Sequence, residues 1–258
     1  MPLHSSTPDG ASSTCVRLSC LKKPMRWQLL RILIRQPRRN TLGNLSVRRY
    51  RASDSASVQQ IAADTAWFGS PVERFMEDRR LFFDLVYASY LRLAPEHIWV
   101  AEAEGRVTGF ILGVPDTAAH RRRALGSVLP GVLMRVALGG YRLGPLTRRY
   151  IRSGLRSAIL EERAQVDLQL YPAHLHINLL AEWRGRGGGR LLMETFLAGM
   201  RELGVSGVHL HTTDQNTVAC LLYEKLGFTL LDERRTCLWA DSVFGAVRSR
   251  FYGRRLSG

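Results

Sequence analysis

The feature that most constrains this chain is a short glycine-rich turn, Gly185-Arg186-Gly187-Gly188-Gly189, set between two periodic segments. Before it, His174 to Leu180 alternates in the manner of a strand. After it, Arg190 to Leu203 carries Leu192, Phe196, Met200 and Leu203 at helical spacing. A strand that feeds a helix through glycines aims successive backbone N–H groups at one point, with the positive end of the helix dipole behind them. Without Cβ atoms in the way, a diphosphate can approach that backbone closely. Arg184, Arg186 and Arg190 stand where they would add charge-assisted contacts to phosphate oxygens. Two other phosphate motifs do not fit. A P-loop ends in Gly-Lys-Ser/Thr, but Arg190-Leu191 stands here, and a dinucleotide fingerprint needs a third glycine where Arg190 or Leu192 sits.

The remaining elements follow from periodicity and punctuation. Val47 to Arg51 reads as a strand, and Ser53-Asp54 then offers an N-cap to a helix carrying Val58, Ile61, Ala62 and Thr65. A second helix is expected from Val72 to Leu93. Ile98 to Ala103 and Val107 to Val114 form a hairpin around Glu104-Gly105, with Gly109 and Gly113 marking a bulge. Asp116 to Tyr171 is a helical, Arg-rich insertion broken at Gly139-Gly140 and Gly144-Pro145. Val208 to Thr212 is a strand, Thr217 to Leu226 a helix, Thr229 to Arg235 a strand and Cys237 to Ala240 a final short strand. The β-α-β unit beginning at His174 implies parallel neighbours joined by a right-handed crossover. The domain proper is placed at 46–240 with its insertion at 116–171. A basic, disordered extension precedes it at 1–45 and a basic tail follows at 241–258.

Composition narrows the class. The chain has 258 residues, a hydrophobic fraction of 45% and a formal net charge of +15. That is enough apolar material for a globular core, and no apolar run reaches the roughly 20 residues that cross a membrane. The first 45 residues hold much of the excess positive charge, so the charge alone does not predict a specific nucleic-acid partner. Four cysteines without a CxxC pair point to a reducing compartment, and the expected location is cytoplasmic.

Arg184-x-x-Gly187-x-Gly189, followed by Asn216, Ala219, Tyr223 and Gly227-Phe228, resembles the pyrophosphate motif and the downstream Asn-x-x-Ala…Tyr-x-Lys-x-Gly-Phe pattern of the GNAT N-acetyltransferases. Tyr171 to Ile177 is also similar to a bacterial subgroup related to the acetyltransferase-like domain of O-GlcNAcases. The resemblance implies an α/β (α+β) fold with a central mixed, twisted sheet of six to seven strands, flanking helices and a splay between the parallel fourth and fifth strands. It implies acetyl-CoA as co-substrate, no metal, and an amine acceptor on a small molecule or a protein, with a homodimer allowed. Leu179 and Leu180 would lie along the pantetheine arm, one of them offering a backbone N–H to the thioester carbonyl. The turn Arg184, Gly185, Arg186, Gly187, Gly188, Gly189 and Arg190 would hold the pyrophosphate. Asn216 would contact the cofactor or serve only as an N-cap. Tyr223 would be the acid for the departing thiolate or a buried aromatic of its helix.

The base stays open at this level. His176 and Asn178 share a strand face with His174, and His209 and His211 lie on the neighbouring strand. The O-GlcNAcase-like subgroup places an acidic residue where Asn178 stands, and an amide accepts no proton at neutral pH. His176, His211 or Glu182 would then have to serve. A chain that binds acyl-CoA without turning it over is the alternative this departure suggests.

Overall fold

The computed structural model describes residues 45–162, 164–239 and 245–256. Among these, a seven-stranded mixed sheet runs in the order β1-β2-β3-β4-β5-β7-β6. The strands are β1 (Leu45–Arg49), β2 (Ile98–Ala103), β3 (Arg106–Val114), β4 (Ala173–Leu179), β5 (Gly207–Thr213), β6 (Thr229–Thr236) and β7 (Val247–Arg255). The helices are α1 (Ser55–Asp64), α2 (Arg79–Val86), α3 (Ala88–Leu93), α4 (Thr117–Ser127), α5 (Leu129–Ala137), α6 (Pro145–Ile159), α7 (Gly188–Glu202) and α8 (Thr217–Lys225).

Alternation along the central strands sends side chains to two cores. Val100, Phe110, Leu112 and Val114 meet α1, α2 and α3 on one face. Trp99, Ile111, Leu175 and Leu210 meet α7 and α8 on the other, where Leu192, Phe196 and Met200 are fully buried. Leu203, expected on that stripe, lies past the end of α7 and is exposed.

The hairpin turns at Glu104 (φ 53°) and Gly105 (φ 74°), two left-handed residues that match strand twist. Its bulge falls on Thr108, because pairing jumps from Ala101–Gly109 to Glu102–Val107. Gly109 serves close packing instead: a Cβ there would come within 2.3 Å of the Leu179 side chain and 2.8 Å of the Asn178 carbonyl.

Three expectations are corrected. The stretch from Val72 to Leu93 is a 3-10 turn and two helices, because Asp78 accepts from the Leu81 N–H at 2.8 Å and starts α2 afresh, and α2 gives way to α3 at Tyr87. The segment 241–258 is not simply a tail: β7 lies within it and pairs with β5 on one side and β6 on the other. Beyond Thr236 the chain turns, so Cys237 to Trp239 is not a strand, while Ala240 lies outside the described residues. The extension expected at 1–45 also lies outside them, except for Leu45, which opens β1.

The insertion forms α4, α5 and α6, with the breaks at Gly139-Gly140 and Gly144-Pro145 falling between α5 and α6. It is anchored on the α2 region by three acids. Glu77 accepts from the N–H groups of Leu146 (2.7 Å) and Thr147 (2.9 Å), Asp78 from the Arg142 N–H (2.7 Å), and Asp84 from the Tyr141 hydroxyl and Arg135 (both 2.8 Å).

Candidate active site

The parallel strands β4 and β5 pair only at Ala173–Val208 and His174–His209, then part. Beyond this point β4 stays paired with β3 through Leu179, and β5 with β7 through Thr213, so the opening is a wedge between two otherwise complete halves of the sheet. Consecutive N–H groups along a strand point to opposite sides. The Leu180 N–H donates to the Thr108 carbonyl at 3.0 Å, on the β3 side, so the Leu179 N–H faces the wedge. Of the two residues expected to polarise a thioester, Leu179 keeps that ability and Leu180 does not.

At the end of β4 the chain makes a 3-10 turn through Ala181–Trp183 and enters the glycine turn. Gly187 caps α7 with φ 83°, a left-handed conformation an L-residue adopts only under strain, and no side chain caps the helix. The first turn of an α-helix has no internal acceptors for its N–H groups. The amides of Gly188, Gly189 and Arg190 therefore have no acceptor within the helix, and they follow directly on the exposed Gly185 and Arg186. Gly187 and Gly189 are half-buried and Gly188 packs close to the Leu45 and Leu179 side chains, so the turn is open on the side of Gly185 and Arg186, where it suits a diphosphate.

Each of the three arginines of the turn has a partner within the protein. Arg184 is committed to the protein: its Nε donates to the Leu179 carbonyl and its Nη2 to the Gly69 carbonyl, both at 3.0 Å. Arg186 lies over the Trp183 ring at 5.2 Å, and Arg190 pairs with Glu194 one turn on at 2.7 Å.

Asn216 precedes α8 and makes no side-chain cap, so its amide is not consumed by the helix. Tyr223 is buried, 5% exposed, against Phe228 and Tyr252. Burial raises the pKa of its hydroxyl above the usual tyrosine value and keeps it protonated at neutral pH.

On the α1–α3 side, Asn178 is a joint. Its Oδ1 accepts from the Tyr87 hydroxyl at 3.1 Å and its Nδ2 donates to Thr65 Oγ1 at 2.7 Å, while Thr65 donates to the Ile61 carbonyl at 2.6 Å. The His176 ring packs edge-on against Tyr87 and Tyr90, both with centroids at 5.3 Å. His174 Nδ1 shares a hydrogen bond with the Tyr90 hydroxyl at 3.0 Å. His209 is buried with Nδ1 on the Tyr171 carbonyl at 2.7 Å, His211 bonds Ser249 at 2.8 Å, and Glu182 is exposed in the 3-10 turn. Of the proposed bases, His176 is the one packed between Tyr87, at the junction of α2 and α3, and Tyr90 of α3. Tyr90 was not anticipated, although its place one helical turn after Tyr87 is the signal that pairs them. Among the described residues no His, Cys, Asp and Glu groups gather into a metal site.

The site is thus a parted pair of parallel strands that leads into a glycine-started helix with no side-chain cap. Residues 167–228 match the acetyltransferase (GNAT) family. The crystal structure of SsHAT is 31% identical, with 84% of this chain and 100% of that chain aligned at a TM-score of 0.62. Ard1 from Thermoplasma volcanium, 19% identical over 84% of this chain and 100% of its own, shares the fold at a TM-score of 0.50. A mycothiol acetyltransferase from Nocardiopsis dassonvillei is 43% identical over 51 residues, which is 20% of this chain and only 16% of that relative's length. The chain belongs to the GNAT acetyltransferase family.

Proposed function

We propose that the protein transfers the acetyl group of acetyl-CoA to a primary amine, on a small molecule or a protein, by direct attack in a ternary complex. The observation that carries this reading is the continuity of the wedge beyond His174–His209 with the free amides of Gly188, Gly189 and Arg190. A pantetheine arm laid in the wedge pairs with the unpaired edge of β4 as a short added strand. The Leu179 N–H then polarises the thioester carbonyl and stabilises the tetrahedral oxyanion. The glycine turn grips the pyrophosphate, and the Asn216 amide supports the cofactor from the start of α8.

His176 takes the proton from the acceptor ammonium, and the neutral amine so formed attacks the thioester carbonyl. Asn178 positions Tyr87 at the acceptor side. When the tetrahedral centre collapses, the C–S bond breaks and the Tyr223 hydroxyl protonates the departing thiolate. The test is thiol release measured with acetyl-CoA and a panel of amines. Amine-dependent release supports the reading, and release no faster than spontaneous hydrolysis across the panel counts against it.

Asn178 favours a second reading, in which the fold binds acyl-CoA and does not turn it over. A CoA-dependent rise in melting temperature without amine-dependent thiol release would select it.

A further inference from the structure

The insertion has a surface unlike the rest of the molecule. Between Thr117 and Leu160 there are nine arginines and not one aspartate, glutamate or lysine. The same segment holds nine of the fifteen exposed large apolar side chains among the described residues. On α6, Ile151, Leu155 and Ile159 recur at four-residue spacing and are 45%, 63% and 80% exposed. They form one stripe along the helix, with Arg148, Arg152 and Arg156 following the same spacing beside it. The opposite face of α6 is already used: Tyr150 packs against the α1–α3 core, and Ser157 is buried and bonds Thr236 at 3.1 Å. On α5, Val128 and Val132 turn inward while Leu133, Met134 and Leu138 stay in water.

We infer that α5 and α6 lie on the surface of an anionic phospholipid bilayer, with the apolar stripe entering the acyl boundary and the arginines at the headgroups. A helix with an apolar face flanked by basic side chains has the chemistry of an interfacial helix. Each arginine near an anionic leaflet adds roughly fivefold in affinity. Charge complementarity selects this occupant. A second copy docked through the same face would set arginine against arginine. Residues 1–44 carry eight Lys or Arg against one acid, so they add to the positive field and do not neutralise it. A nucleic-acid backbone would satisfy the arginines but leave the isoleucine–leucine stripe in water. No helix among the described residues is long and apolar enough to cross a membrane, so the contact is superficial.

The test is flotation of the full chain with vesicles of phosphatidylglycerol and phosphatidylcholine in equal parts, against phosphatidylcholine alone. Binding to the anionic vesicles only is expected. The variant Ile151→Ser/Leu155→Ser/Ile159→Ser should bind at least about tenfold more weakly. Its substitutions are on exposed positions, and an unchanged thermal melt confirms that it is folded. The variant Arg148→Glu/Arg152→Glu/Arg156→Glu, with an unchanged thermal melt, should also bind at least about tenfold more weakly, and full retention of binding by it likewise overturns the inference. No flotation with anionic vesicles overturns the inference. So does binding that the serine variant keeps in full, because the attraction is then charge alone, as expected of a nucleic-acid binder or of the basic 1–44 segment.

Discussion

Tyr223 and Gly187 each carry a part of the proposed chemistry that a single atom can test. Removing the buried hydroxyl with Tyr223→Phe keeps the ring that packs on Phe228 and Tyr252. If the hydroxyl protonates the leaving thiolate, kcat falls about a hundredfold or more while KM for acetyl-CoA barely moves. A variant with wild-type kcat would return Tyr223 to a packing role. Gly187→Ala tests the grip on the diphosphate. At φ 83° an alanine is strained by about 1–2 kcal/mol, and relief of that strain moves the amides of α7 out of line. Calorimetric titration should show CoA affinity lowered by about tenfold or more. Equal affinity in the two proteins would mean that these amides do not hold the ligand.

α6 shows how an element can be held by a residue far away in sequence. Its own N-cap, Gly144, supplies no side chain, and Glu77 takes that place. Burial disfavours the Glu77 carboxylate, but bonds from the Thr147 hydroxyl and amide and from the Leu146 amide outweigh it and bring the pKa from 4.5 to about 2. A carboxyl with a depressed folded-state pKa contributes stability that is present above its unfolded value and lost as pH falls toward the folded one. Thermal melts between neutral pH and pH 2 should therefore show Glu77→Gln less stable than wild type above 4.5, with the gap closing as pH falls toward 2. A gap that stays constant with pH would remove the ionised cap from the account. The sequence reveals α6 and the Gly144-Pro145 break before it, because proline and glycine act locally. It does not reveal the partner of the helix end, which lies 70 positions away.

The same limit explains the misread elements. The helical period continues smoothly from Val72 to Leu93, while the restart at Asp78 becomes visible only through its cap. β7 alternates arginine and serine with Val247 and Phe251, which reads as a basic tail. Its charges make sense only opposite β6, where Glu233 pairs with both Arg248 and Arg250. The glycine turn that opens α7 was legible because its motif is compact. The role of Arg184 was not, because its partner carbonyl on Gly69 arrives from another part of the chain.

At the scale of the whole molecule, β7 joins the outer strand β6 to the strand that borders the wedge. A chain stopped before Val247 should therefore lose cooperative unfolding, with circular dichroism showing reduced strand content and no sharp thermal transition. A truncated chain that melts like the full one would show that β5 forms its wall of the wedge unaided.

Arg184 has a different kind of reach. One guanidinium holds the last carbonyl of β4 and the Gly69 carbonyl of the loop after α1. On the proposed reading these two segments border the amine and the acyl donor, and Arg184, together with the Asn178–Thr65 bond, fastens one to the other. Anyone seeking to redirect the protein to new amines by exchanging the 65–70 loop inherits that constraint. A replacement loop that cannot offer a carbonyl to Arg184 will alter donor handling as well as amine choice, so new selectivity and retained turnover have to be engineered together.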